Sequence, residues 1–108
     1  MRKWPAIGMT AVLGLAVTFP AQPADAQDAI AQFYKDKTVT IVIGSTAAGG
    51  VDIYGRLIGR HLGRHIPGNP KVIPQNMPGA GSIAAASHVY AIAPKDGTHI
   101  GTVLSGAI

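Results

Sequence analysis

From Gln27 onward the apolar positions come in short blocks separated by glycine and proline. Thr38-Val39-Thr40-Ile41-Val42-Ile43 is β-branched throughout and almost continuously apolar after Thr40. That is the pattern of a strand buried on both faces. The run breaks at Gly44, and a loop of small residues follows from Ser45 to Gly50. Beyond it Tyr54, Leu57, Ile58 and Leu62 recur at helical spacing, with Arg56, Arg60 and Arg64 on another face. Gly55, Gly59 and Gly63 form a further stripe, which would let the helix lie close on a sheet. Ile66-Pro67-Gly68-Asn69-Pro70 stops the helix. Lys71-Val72-Ile73 begins a second strand, and Pro74 marks it as short or as an edge. A second glycine-rich turn, Asn76 to Gly81, leads to Ser82 as the N-cap of a helix from Ile83 to Ile92. Pro94-Lys95-Asp96-Gly97 is a turn, and Thr98 to Leu104 reads as a third strand.

Strands alternating with helices imply βαβ units and a parallel sheet, so the fold class is α/β. No helix follows the third strand to cover that side of the sheet. The reading is therefore of a truncated piece of something larger, with one face of the sheet bare and a tendency to aggregate.

The chain of 108 residues has no cysteine, which removes disulfide scaffolds, thiolate metal sites and Cys nucleophiles. Its formal charge of +4 is spread out rather than concentrated. From Gln27 onward seven Lys and Arg residues face four Asp residues, and no aromatic interleaves the arginines. This is not the footprint of a nucleic-acid binder. His61 and His65 are spaced i, i+4, but Leu62 stands where a zincin needs Glu, so no metal is expected. There is no nucleophile elbow and no placed pair of carboxylates, so no enzyme activity is expected. Gly79-Ala80-Gly81-Ser82-Ile83-Ala84 matches the dinucleotide pattern G-x-G-x-x-A. The acid that such a site wants at the end of the next strand is missing, and Asp96 lies at the wrong end. No cofactor is expected, and a dinucleotide-binding oxidoreductase fragment remains the distant alternative.

What the two turns do offer is backbone. Both lie at the carboxyl ends of strands, where open α/β sheets bind ligands, and each feeds a helix N-terminus. The first N–H groups of a helix lack helical partners and sit at the positive end of its dipole, so two such turns side by side could form an anion pocket. Asp52 is either the helix-start carboxylate that caps orphan amides or a direct ligand contact.

The first 26 residues read as an address. Met1-Arg2-Lys3 is a positive start, Ala6 to Phe19 an apolar run between Pro5 and Pro20, and Ala24-Asp25-Ala26 an Ala-x-Ala cleavage site. The run is too short to span a bilayer. A signal peptide over 1–26, cleaved after Ala26, predicts a periplasmic protein starting at Gln27; an uncleaved anchor is the alternative.

Four motifs then stand in order: Tyr34 to Ile43, Ala48 to Arg56, Gln75 to Gly81 and Ala93 to Thr98. Together they resemble the start of the tripartite tricarboxylate transporter receptors, the Bug family, and cover nearly all of the chain after residue 26. The resemblance implies the first lobe of a type II periplasmic-binding-protein-like fold over residues 27–108. It implies a small carboxylate as ligand and the two membrane subunits of a transporter as partners. An exported sensor domain of the same fold is the alternative. In that family the two strand-to-helix turns hold the ligand carboxylate. Carried over, the ligand residues are Gly49, Gly50 and Asp52 in the first turn and Asn76, Pro78, Gly79, Ala80 and Gly81 in the second, with Ser45 and Thr46 opening the ligand-facing loop. Many members have Thr before the aspartate and Arg in the second turn; here Val51 and Met77 stand there. Those two departures leave the ligand class open.

Overall fold

The computed structural model describes residues 2–3 and 24–106. The apolar run of the expected signal peptide lies outside the described residues. The expected cleavage site falls inside the first helix, α1 (Ala24–Tyr34), which the sequence reading had not foreseen. Its signal was present: a run of helix formers with Ile30, Phe33 and Tyr34 at i, i+3, i+4.

After α1 the chain runs β1 (Thr38–Ile43), α2 (Gly50–Leu62), a 3-10 turn at Gly63–His65, β2 (Lys71–Asn76), a 3-10 turn at Ala80–Ser82, α3 (Ile83–Ser87), a π-helical turn at His88–Ile92, and β3 (His99–Thr102). The three strands make one parallel sheet in the order β2-β1-β3. The α/β parallel-sheet expectation holds. The central strand is the core: Val39, Ile41, Val42 and Ile43 are fully buried, as a β-branched run covered on both faces should be.

The two faces are covered by different helices. A Cβ on Gly55 would touch Ile43 Cδ1 at 2.9 Å, and one on Gly59 would touch Ile41 Cδ1 at 3.3 Å, so α2 lies on the face of Ile41 and Ile43. Gly101 pairs with Val42 and so points to the other face, where a Cβ would meet Val89 of the π-helical turn at 3.4 Å. The chain steps from β1 out to β2 and then back past β1 to β3. That reversal is what places the helices on opposite faces, and both faces of β1 are covered rather than one left bare. The uncovered part is local: Ile100 on β3 is 39% exposed on the α2 side, because α2 lies over β1 and β2.

The glycine stripe of α2 is its sheet-facing side. That is the close approach the stripe suggested. Tyr54, Leu57 and Ile58, which recur at helical spacing, are left exposed, Tyr54 to 69%. Pro74 does lie on an edge strand, as its missing N–H requires. At the opposite end of the sheet from the two glycine-rich turns, α1 packs on the loop that ends α2: Gly68, at φ 92°, lies against the Ala31 carbonyl with no room for a Cβ. The Tyr34 hydroxyl donates to the Gly97 carbonyl at 3.1 Å.

Candidate functional site

The two strand-to-helix turns leave the carboxyl ends of β1 and β2, which are neighbours, so they stand side by side. Strand order reverses between β1 and β3, and in open α/β sheets that reversal is where a crevice opens beyond the strand ends.

The first turn is built around one carboxylate. Asp52 occupies the third position of α2, after Gly49 as N-cap and Gly50 and Val51. Its Oδ2 accepts the Ala48 N–H at 2.9 Å, closing the turn back on the helix. The Arg56 Nε donates to both Asp52 oxygens at 3.0 Å, one helical turn away. Asn76 at the end of β2 donates its Nδ2 to Asp52 Oδ1 at 2.7 Å and to the Ser45 carbonyl at 3.0 Å, while its Oδ1 accepts from Arg56 Nη2 at 2.8 Å. Both ends of the Asn76 amide are therefore occupied within the protein. Asp52 itself is only 3% exposed. The hydrogen bond from Asn76, then those from Arg56 and from the Ala48 N–H, lower its carboxyl from 3.8 to about 2.

Asp52, Asn76 and Arg56 thus form a closed polar triangle that holds the first turn against β2. The chemistry is that of a brace: the carboxylate ties down an orphan turn amide, and Arg56 cancels its charge. Sequence reading had set Arg56 on a solvated face. The i, i+4 pairing of Asp52 with Arg56 was the available signal, since acid before base at that spacing favours contact.

What remains uncommitted is backbone. Gly50, Val51 and Asp52 open a helix of 13 residues, and their N–H groups have no carbonyl one turn back within it. The helix dipole adds partial positive charge at that end. Gly50 is exposed, and nothing lies within 4 Å of where its Cβ would be. Thr46 is exposed beside it, and the Ser45 hydroxyl donates weakly to the Thr46 carbonyl at 3.3 Å.

The second turn differs from the expectation. Ser82 does not cap α3. Its backbone is left-handed, at φ 77°, and its hydroxyl makes no cap bond. Instead Ser82 is buried: Oγ donates to the Gly44 carbonyl at 2.7 Å and accepts the Leu104 N–H at 3.0 Å. It bridges the end of β1 to the segment just after β3. Gly44 has to be glycine, because a Cβ there would lie 2.6 Å from Ser82 Cβ. Gly79, Ala80, Gly81 and Ser82 all have positive φ, so the chain reaches α3 through a left-handed corner rather than a simple cap. Pro78, Gly79, Ala80 and Gly81 are all exposed, and Gly81, like Gly50, would carry a Cβ into open space. The Met77 N–H donates to the Ile43 carbonyl at 2.7 Å, fixing where the second turn starts against β1.

The structure therefore brings together Ser45, Asp52 and Asn76 by direct hydrogen bonds, and sets Thr46, Gly49 and Gly50 in the same loop. Pro78, Gly79, Ala80 and Gly81 form the neighbouring turn. Sequence reading missed Arg56 and the bridging role of Ser82. It also missed Thr102, whose Oγ1 is buried without a partner beside Gly55. No signal marks that hydroxyl in the sequence. Among the described residues no group of three or more His, Cys, Asp or Glu could hold a metal. His61 is exposed on α2 and bonds to Arg64.

Comparison with known proteins gives one relative. The chain is 40% identical over 85 residues to a UPF0065 protein of Cupriavidus necator encoded in the gbd 5' region. The match takes in 79% of this chain and 23% of that protein, so the chain spans about a quarter of its relative's length. No protein-family model matches, and no solved structure matches. The chain is thus similar, over 85 residues, to a UPF0065 protein.

Proposed function

We propose that this chain is the N-terminal part of an extracytoplasmic solute-binding receptor, and that it captures a small carboxylate on the backbone amides of its two strand-to-helix turns. UPF0065 is the family name for the Bug receptors of tripartite tricarboxylate transporters, so the relative supports the receptor reading. The observation that carries the ligand class is the first turn. It presents free helix amides at Gly50 and Val51 beside open space, while the one carboxylate nearby is already neutralised by Arg56. An unpaired Asp52 would repel a ligand anion; the paired one leaves the positive helix end receptive.

On this reading Gly49, Gly50, Gly79, Ala80 and Gly81 meet the ligand through backbone, and Ser45 and Thr46 supply hydroxyls. Asp52 and Asn76 hold the turns in register rather than touching the carboxylate themselves. No bond is made or broken, so the role is binding, not catalysis. The protein works outside the cytoplasmic membrane after cleavage at Ala26, delivering its ligand to the membrane subunits of the transporter.

The test uses Gly50→Pro. Proline is favoured at the first position of a helix, and the preceding Gly49, at φ −76° and ψ 165°, already has the extended backbone that a following proline requires. The variant therefore deletes one ligand-facing N–H and leaves the helix intact. Calorimetric titration with di- and tricarboxylates should show binding by the wild type and at least a tenfold loss in the variant, at unchanged melting temperature. Equal affinity in both would overturn the turn-amide mechanism. An absence of carboxylate binding to the wild type would overturn the ligand class.

A further inference from the structure

Charge that is scattered along the sequence is gathered by the fold. From Gln27 onward the lysines are Lys35, Lys37, Lys71 and Lys95. Lys35 and Lys37 lie in the link from α1 to β1, Lys71 opens β2, and Lys95 stands in the turn before β3. All four therefore stand at the amino ends of the parallel strands, opposite the two glycine turns. Two acids lie in the same links, Asp36 and Asp96. Asp96 is engaged in its own turn, where its Oδ1 accepts the Thr98 N–H at 3.0 Å and the Thr98 hydroxyl at 2.6 Å. At the glycine-turn end Arg56 is cancelled by Asp52.

Three of the lysines converge. Thr38 pairs with Lys71 in the β1–β2 register, so the links that enter these two strands run side by side. Between them lies a cleft of about 410 Å³ whose walls include Lys35, Asp36, Lys37, Asn69 and Lys71. Its two sides are fastened together. A Cβ on Gly68 would lie 2.5 Å from the Ala31 carbonyl oxygen and 3.0 Å from the Lys35 nitrogen, so the two links touch backbone to backbone. Lys37 Nζ sits 5.4 Å from the centre of the Phe33 ring, which holds that ammonium on the α1 side. Three lysines less one aspartate leave a formal +2 on the cleft. A lysine ammonium is a compact point charge without the flat fork with which arginine grips a carboxylate, and several together suit a multiply charged anion. A phosphate monoester carries about −1.5 to −2 near neutral pH, which matches the charge of the cleft. We propose that this cleft is a phosphate site, separate from the carboxylate turns, which takes inorganic phosphate or the phosphomonoester headgroup of a lipid.

The test titrates the full chain with sodium phosphate in a calorimeter, against sodium chloride of the same ionic strength. The wild type should bind phosphate saturably and give no such isotherm with chloride. Lys35→Gln combined with Lys71→Gln should lower the affinity about tenfold or more, since one exposed ion pair is worth a factor of up to about five. Arg60→Gln combined with Lys95→Gln removes the same formal charge outside the cleft and should change the affinity less than about twofold, because salt screens distant exposed charges. All four side chains are exposed, so both variants should melt with the wild type, which separates loss of the site from loss of the fold. Phosphatidylcholine vesicles with and without phosphatidic acid identify the source. Cosedimentation that needs phosphatidic acid and is lost in the cleft variant assigns a lipid headgroup; phosphate binding without it assigns the free anion. The apolar N-terminal run is common to all variants and cancels in the comparison. The proposal fails if the wild type binds phosphate no better than chloride, if the cleft variant binds as well as the wild type, or if the two double variants lose affinity equally.

Discussion

The close seating of α2 on the sheet predicts a graded response to adding one methyl group at each glycine of its stripe. In a helix interior, Gly→Ala is worth about 1 kcal/mol of stability by propensity alone. Against that stands overpacking, which costs about 1–3 kcal/mol where a well-packed neighbour cannot move. At Gly59 the new Cβ would sit 3.3 Å from Ile41 Cδ1 and 3.7 Å from Val72 Cγ1. A terminal methyl can yield a few tenths of an ångström, so Gly59→Ala should stabilise, by roughly 0.5 kcal/mol. At Gly55 the contacts are 2.9 and 3.0 Å from Ile43, which is fully buried in the central strand and has little room to retreat. There the two terms offset, and Gly55→Ala should cost up to about 1 kcal/mol. At Gly63 the Cβ would lie 2.6 Å from the Pro70 carbonyl oxygen. That is backbone, so the loop entering β2 would have to shift. Gly63 also ends α2, where the propensity gain is small, and the substitution should cost about 2 kcal/mol or more. Urea unfolding followed by far-ultraviolet circular dichroism reads all three. Equal stabilisation by all three substitutions would show that the stripe does not face the sheet, and the packing argument would be wrong.

Thr102→Val replaces a buried hydroxyl that has no partner with a methyl of the same shape, and should raise stability by about 1 kcal/mol in the same urea assay; a loss would mean the hydroxyl is bonded. Ser82→Ala strips partners from both the Gly44 carbonyl and the Leu104 N–H, so it should cost about 2–4 kcal/mol and speed hydrogen exchange at the Leu104 amide. The Asp52 carboxyl is lowered from 3.8 to about 2 on folding, so its contribution to stability is present above about pH 4 and is lost as pH falls towards 2. The melting temperature of the wild type should therefore fall more steeply between pH 4 and pH 2 than that of Asp52→Asn, and parallel curves would refute the network's role.

How much of this the sequence carried differs between strands and helix faces. β1 was legible to the residue because a strand buried on both faces leaves no polar alternation to misread. Pro74 announced an edge because its missing N–H has nowhere else to go. The buried side of α2 was not legible from apolar spacing. Hydrophobic periodicity assumes that the core face carries the large side chains, whereas here the sheet approaches so closely that only glycine fits against it. Tyr54, Leu57 and Ile58 are left outside by the same fact. The better signal was the costlier residue: Gly55 and Gly59, four apart in the helix interior, lower helix stability by about 1 kcal/mol each, and a close backbone approach is the compensation.

The site divides the same way. Asp52 reads as either a cap for orphan amides or a ligand contact, Asn76 is carried over as a ligand contact from the resemblance, and Ser82 reads as a helix cap from its place in the chain. The partners that occupy them are distant: Asn76 reaches Ser45 and Asp52 across the β1–β2 pair, and Ser82 reaches Gly44 and Leu104 across β1 and β3. Polar side chains near a glycine turn have two employments, binding a ligand or bracing the turn, and local sequence does not separate them. Burial does. A carboxylate that is 3% exposed and neutralised by its own arginine braces the turn, and on the proposed reading it leaves the ligand to groups that side-chain motifs cannot name, the N–H bonds of Gly50 and its neighbours. On the same proposed reading Val51 and Met77, where the resemblance led one to expect Thr and Arg, do not abolish anion binding: substitution changes the walls of the turn and leaves its backbone donors in place.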